Sequence, residues 1–141
     1  MNKVKVLSIA LLAIVATSRA QDLTQAKKAI DAEQFEKAKS LLKSVIQTKP
    51  SNGKAAFLLG NIYLKQNIAD SAAIYFQKGL SASDGAKFNN IGLGQMDLDA
   101  NDKTAAQAKF ALVTKDLKKK DTEEYVYIAR AYMNADKPDY T

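Results

Sequence analysis

The chain repeats itself every 34 residues. Small residues recur as Ala26, Gly60 and Gly94, a second small set as Ala38, Ala72 and Ala106, and large apolar residues as Leu42, Phe76 and Phe110. A period of this length, carried by helical spacing and broken by turn signals, is the signature of stacked two-helix units. A hairpin of two helices cannot bury its apolar face alone, so the units stabilise one another through their interfaces and about three copies are needed. Apolar residues at helical spacing occur in any bundle, but register held over three copies singles out the repeat. Turn signals fall where hairpins should close, at Lys49-Pro50-Ser51-Asn52-Gly53 and at Ser81-Ala82-Ser83-Asp84-Gly85. Pro50 cannot continue the helix it follows. Asn67 and Asn101 stand inside hairpins, where a left-handed residue is wanted and Asn tolerates it after Gly. Asp70 and Asp102 lie near the starts of second helices, placed to satisfy free backbone N–H groups.

The middle unit carries the most specific residues. Ala56, Leu59, Gly60 and Tyr63, followed by Ala72, Phe76 and Gly79, resemble the tetratricopeptide repeat family at its first-helix and second-helix positions, with Ala56 smaller than the usual aromatic and Gly79 in place of the usual Ala. In the third unit Leu93, Gly94, Ala106 and Phe110 agree, while Asp97 sits where Tyr is expected. The first unit is recognisable by Phe35, Ala38, Leu42 and Pro50. The resemblance implies an all-α fold: a right-handed α-solenoid of stacked helix-turn-helix repeats, about three and a half of them. Gly60 and Ala72 would let the helices of one hairpin approach closely, with Phe76 and Tyr63 filling the space around them. The divisions are residues 21–52, 53–86 and 87–120 for three repeats, and 121–141 for the first helix of an incomplete fourth. In that helix Ala129 is taken as the small residue and Tyr132 as the aromatic, one residue out of strict register, with a turn at Asp136-Lys137-Pro138-Asp139.

Residues 1–20 read as a cleavable signal peptide. Lys3 and Lys5 give a basic start, Val6 to Ala16 an apolar run, and Ser18-Arg19-Ala20 a small-x-small cleavage signal before Gln21. The run is well short of the roughly 20 apolar residues that span a bilayer, so no membrane insertion is expected after cleavage. The chain has no cysteine, hence no disulfide, no thiolate metal site and no lipid anchor at the cleavage point. The expected location is the bacterial periplasm or the medium, and not the membrane as a lipoprotein. Loss of Lys3, Lys5 and Arg19 would leave 18 basic and 15 acidic residues, a net +3, which is not a nucleic-acid balance. The run Lys115-Asp116-Leu117-Lys118-Lys119-Lys120-Asp121 is read as a solvated helix end favoured by the helix dipole.

Catalytic chemistry finds little purchase here. Without His or Cys the chain lacks the commonest general base, the commonest metal ligands and a thiol nucleophile. Ser40-Leu41-Leu42-Lys43 has the Ser-x-x-Lys spacing of penicillin-binding proteins, but it falls in a repeat helix without the accompanying motifs. No cofactor is implied. The resemblance places function on the concave groove lined by the first helices, facing a protein or an extended peptide. By register its residues are Lys54, Phe57, Asn61, Leu64 and Lys65 in the second repeat, Phe88, Ile91, Gln95, Leu98 and Asp99 in the third, and Val126, Arg130 and Met133 in the fourth. Phe57, Phe88 and Ile91 with the amides Asn61 and Gln95 suit burial of side chains and bonding to an extended backbone. Phe57, Leu64 and Ile91 equally suit packing between repeats. The clamp that holds chaperone C-terminal carboxylates uses a groove Lys, and its sites here read Leu23, Phe57 and Ile91, so that subtype is not expected. The leading reading is a non-catalytic scaffold for protein–protein interaction. The alternatives are the N-terminal repeat arm of a larger envelope enzyme or secretion machine, and self-stacking of two copies through the open C-terminal repeat.

Overall fold

In the computed structural model, residues 23–135 are described, and all regular structure among them is α-helix. The signal-peptide segment 1–20 and the turn at 136–139 lie outside the described residues. The helices are α1 at residues 23–31, α2 at Phe35–Thr48, α3 at Gly53–Lys65, α4 at Ala69–Leu80, α5 at Ala86–Asp99, α6 at Lys103–Thr114 and α7 at Thr122–Ala135. Helices α3 and α4 form one hairpin, α5 and α6 the next, α2 packs on α3, and α5 rests against both α3 and α4. This is a helical-repeat solenoid, as the 34-residue period requires.

The hairpin turns are copies of one another. Glu33, Asn67 and Asn101, spaced by 34, all adopt the left-handed conformation, with φ of 56°, 58° and 61°. At each, the next residue's N–H reaches back five residues: Gln34 to the Ala29 carbonyl at 2.8 Å, Ile68 to Tyr63 at 2.9 Å, Asp102 to Asp97 at 2.8 Å. The left-handed residue itself donates to the carbonyl three residues back, at 2.9 Å in all three. This pair of bonds satisfies the carbonyls that a helix end leaves open. The helix starts vary more. Asn52 caps α3 by accepting from the Ala55 N–H at 3.0 Å and Asp102 caps α6 by accepting from Ala105 at 2.9 Å. Asp70 departs from expectation. Ile68 is the cap of α4 and makes no side-chain bond there, so Asp70, inside the first turn, contributes charge near the helix N-terminus and no cap.

Phe76 of α4 is fully buried, and it binds two repeats together. A Cβ on Gly60 of its own hairpin, or on Gly92 of the next, would overlap the Phe76 ring. The ring is thus clamped edgewise between two helix backbones that can come this close only because neither residue has a side chain. Gly94 makes the same room for Phe110. The expected close approach in the hairpin is therefore glycine to aromatic ring, with Ala72 buried alongside. Tyr63 is half-buried and stacks on Tyr75 of α4 with ring centroids 5.5 Å apart.

A second junction has no counterpart in the period. Asn89 is the one polar residue buried among those described, at 0% exposure. Its Nδ2 donates to the Gly53 carbonyl at 2.9 Å and to the Gly85 carbonyl at 2.7 Å. The backbones of Gly53 and Gly85 touch, leaving no space for a Cβ on either, and a Cβ on Gly79 would overlap the Asn89 amide. The Gly53 N–H is taken by Asp84 Oδ1 at 2.7 Å. Three glycines, one amide and one carboxylate thus tie the start of α3 to the loop before α5.

The last helix departs from register. Ala131 is buried at 2% while Ala129 is exposed, so the small packing residue is two positions later than expected. Tyr132 does meet Phe110, with ring centroids 5.3 Å apart. Helix α7 packs on α5 and touches α6 only slightly, leaving Tyr125, Val126, Tyr132 and Met133 with much of their surface in solvent.

Two stability predictions follow from this packing. Gly79→Ala should destabilise by about 1–3 kcal/mol through overpacking against Asn89, and most of that cost should vanish in an Asn89→Ala background; additive effects in denaturant unfolding of the four proteins of the cycle would refute the contact. Glu33→Gly should stabilise by about 0.5–1 kcal/mol, because it relieves a left-handed Glu, while the exposed Lys65–Glu33 pair at 3.1 Å that it deletes is worth little. Thermal unfolding reads the direction directly.

Candidate functional site

Stacking the first helices side by side leaves a concave groove of about 670 Å³ lined by α1, α3, α5 and α7. Register explains the order of its side chains. Lys27, Asn61 and Gln95 form one row with a step of 34, and Asp31, Lys65 and Asp99 form another. Facing them from α7 are Glu123, Tyr127, Arg130 and Asn134. The groove is therefore rich in amides and mixed in charge, over an apolar floor.

The expected residues divide into three groups. Asn61, Gln95 and Arg130 line the groove with accessible polar ends. The Asn61 amide makes no hydrogen bond to another described residue. Gln95 Nε2 donates to Asp99 Oδ1 at 2.7 Å, and the Arg130 guanidinium lies 5.7 Å from the Tyr127 ring centroid. Phe57 and Ile91 form the floor but are only 1% and 2% exposed, so their surface is spent on packing between repeats. Lys54 and Phe88 stand outside the groove lining, in a cluster at its edge.

That cluster is built from four helices, α1, α3, α5 and α7. The Lys54 ammonium lies 3.5 Å from the Phe88 ring centroid and 2.5 Å from Glu123 Oε2, with only 14% of its side chain exposed. Lys27 approaches the other Glu123 oxygen at 4.0 Å. The Tyr127 ring stands edge-on to Phe57 at 4.8 Å and to Phe88 at 6.0 Å, and Phe57 also meets Phe88 at 5.4 Å. Burial lowers the Lys54 pKa, and the Glu123 carboxylate partly restores it. Burial raises the Tyr127 pKa above that of a free phenol, so its hydroxyl stays protonated at neutral pH.

Several positions differ from expectation. Leu98 is buried in the core of α5 to α7 and does not reach the groove. Val126 and Met133 are exposed on the far side of α7, because the helix is turned so that Tyr127, Arg130 and Asn134 face inward. Leu64, Lys65 and Asp99 line the groove as expected. Lys27, Ile30 and Asp31 of α1 were missed, although subtracting 34 from Asn61, Leu64 and Lys65 points to them. Glu123, Tyr127 and Asn134 were missed because α7 does not keep that register. Among the described residues no three His, Cys, Asp or Glu side chains are grouped to hold a metal, and no helix is long and apolar enough to cross a membrane.

Comparison with known proteins agrees with the stacking. No curated protein matches the chain. A family model described as tetratricopeptide repeat matches residues 29–90, which run from the end of α1 through α2, α3 and α4 into α5. Those are the helices in which the clamp on Phe76 and two of the three left-handed turns occur, and over that stretch the chain is similar to the tetratricopeptide repeat family.

Proposed function

We propose that the chain is a non-catalytic scaffold that binds a protein or extended peptide along its concave groove and works in the bacterial cell envelope, in the periplasm or outside the cell. Repeats of this family mediate protein–protein interaction, and the observation that carries the reading to this groove is the row Lys27, Asn61 and Gln95 opposite Arg130, above a floor made by Phe57 and Ile91. Amides spaced by one repeat can donate to and accept from the backbone of an extended segment, whose peptide groups carry no side-chain information and need such partners when water is excluded. A packed floor keeps the helices at fixed separation, so the amides are held in place before a partner arrives. The absence of His and Cys from the chain removes the commonest acid–base group and the thiol nucleophile, and two of the groove carboxylates are engaged, Asp99 by the Gln95 amide and Glu123 by Lys54 and Lys27. Export rests on the basic start, the apolar run and the Ser18-Arg19-Ala20 site.

The test of the groove is capture of partners from native cell envelopes by the mature chain beside an Asn61→Ala, Gln95→Ala variant of unchanged helicity. Phe57 is left intact because its ring is part of the core. Each amide lost should cost about 0.5–1.5 kcal/mol, so the pair should weaken a groove-bound partner by roughly 5- to 100-fold. Equal retention by both proteins would move the site off the groove. For location, the mass of the protein recovered from the envelope or medium should place its N-terminus at Gln21; recovery of Met1-containing protein only would defeat the export reading.

A further inference from the structure

We infer that the edge cluster of Lys27, Lys54, Phe57 and Phe88 is a recognition site for a helical segment presenting a carboxylate and an aromatic ring one turn apart, and that α7 fills it in the free chain. The inference rests on the groove reading and deepens it by naming the chemistry of the partner. Glu123 and Tyr127 are four residues apart, which puts both on one face of α7. They make two distinct contacts, since the carboxylate sits between Lys54 and Lys27 at 2.5 and 4.0 Å while the ring is edge-on to Phe57 and Phe88. Both reach beyond α5, the helix on which α7 rests, to the first and second repeats.

Two features mark α7 as an occupant. The first helix of the preceding repeat, α5, packs against both members of the hairpin before it, whereas α7 scarcely touches α6. Its outer face, with Tyr125, Val126 and Met133, is in solvent. The helix is thus held by its interface with α5 and by the edge cluster and lacks the second-helix interface that also holds α5, so fewer interfaces must break for it to open. When α7 leaves, the Lys54 ammonium keeps its place beside Phe88 and loses its carboxylate partner. A second carboxylate with an adjoining ring then satisfies charge and apolar surface together, as Glu123 and Tyr127 do.

The experiment uses the full mature chain carrying Glu123→Gln and Tyr127→Ala. It is titrated with a labelled synthetic peptide of residues 119–135, and with the same peptide bearing those two changes, by fluorescence anisotropy. The variant should bind the unaltered peptide at least about tenfold more tightly than the altered one, the size expected for a charge-assisted pair with a ring contact. It should also bind it more tightly than the parent chain, whose own α7 competes. Adding Lys54→Met to the variant should remove the preference. Equal binding of both peptides, or no binding, overturns the inference. So does loss of helicity in the variant beyond the share of α7, which would make α7 an integral support and not an occupant. The groove reading fails separately: Asn61 and Gln95 are not among the groups that meet Glu123 and Tyr127, so a partner indifferent to the amides, with the preference for the unaltered peptide intact, would sink the groove and leave the edge site standing.

Discussion

Everything in the solenoid depends on how closely one helical hairpin can approach the next, and the Phe76 ring sets that distance. Gly60 on one side and Gly92 on the other have no side chain, so the ring packs directly on two backbones. One buried aromatic residue therefore serves two interfaces, within its hairpin and between hairpins. Removal of such a ring typically costs about 3–5 kcal/mol because the rigid backbones around it cannot collapse into the space. A bulkier residue at either glycine would push the helices apart along their length. The angle between repeats, and with it the curvature of the groove, is thus set by a contact buried in the core.

Much of this was legible in the sequence because stacking forces the same residue types back into the same places. Asn67 and Asn101 announced their left-handed turns, and the amides Asn61 and Gln95 were placed on the concave side by register. Glu33 was not legible by residue type, since Glu has no preference for positive φ; only its position 34 before Asn67 pointed to it. Gly92 and Asn89 were silent for a different reason, and Gly53 and Gly85 read only as turn residues. They belong to junctions made once, and a periodic signal carries no information about a contact that is not repeated. Phe57 shows the limit of register alone: a position can face the groove and still be covered, because the third repeat lays Phe88 and the fourth Tyr127 against it.

The fourth first-helix marks where repetition ends. Between α6 and α7 lies a Lys-rich loop, Lys115 to Asp121, in which the Lys118 N–H donates to Asp121 Oδ2 at 3.0 Å and Lys87 of α5 reaches the same carboxylate at 3.7 Å. The loop backbone is thus tied back to Asp121 and α5, while Lys115, Lys118, Lys119 and Lys120 are exposed. Beyond it α7 takes a rotation of its own, burying Ala131 and turning Tyr127 inward. A shift of one residue on a helix rotates a side chain by about 100°, enough to exchange the groove face for the solvent face. Val126 and Met133 lost the groove to that rotation, and Tyr127 and Asn134 gained it.

The division of labour in the groove follows from burial. Apolar residues of the floor are consumed by packing, so they contribute little area to a partner and much to keeping the helices in place. Discrimination then falls to the polar rim, where each group is weak alone and water competes for it. A rim of mixed sign gives no strong steering of a charged partner from a distance, since opposite charges within one groove cancel beyond about a Debye length. On the proposed reading, selectivity would come from close geometry: amides one repeat apart, a carboxylate at Asp99 already engaged by Gln95, and at the groove edge the Lys54 ammonium paired with Glu123. On the reading proposed above, a partner carboxylate that takes the place of Glu123 would keep the Lys54 ammonium paired, whereas an apolar side chain there would leave that charge without a counterion and be disfavoured.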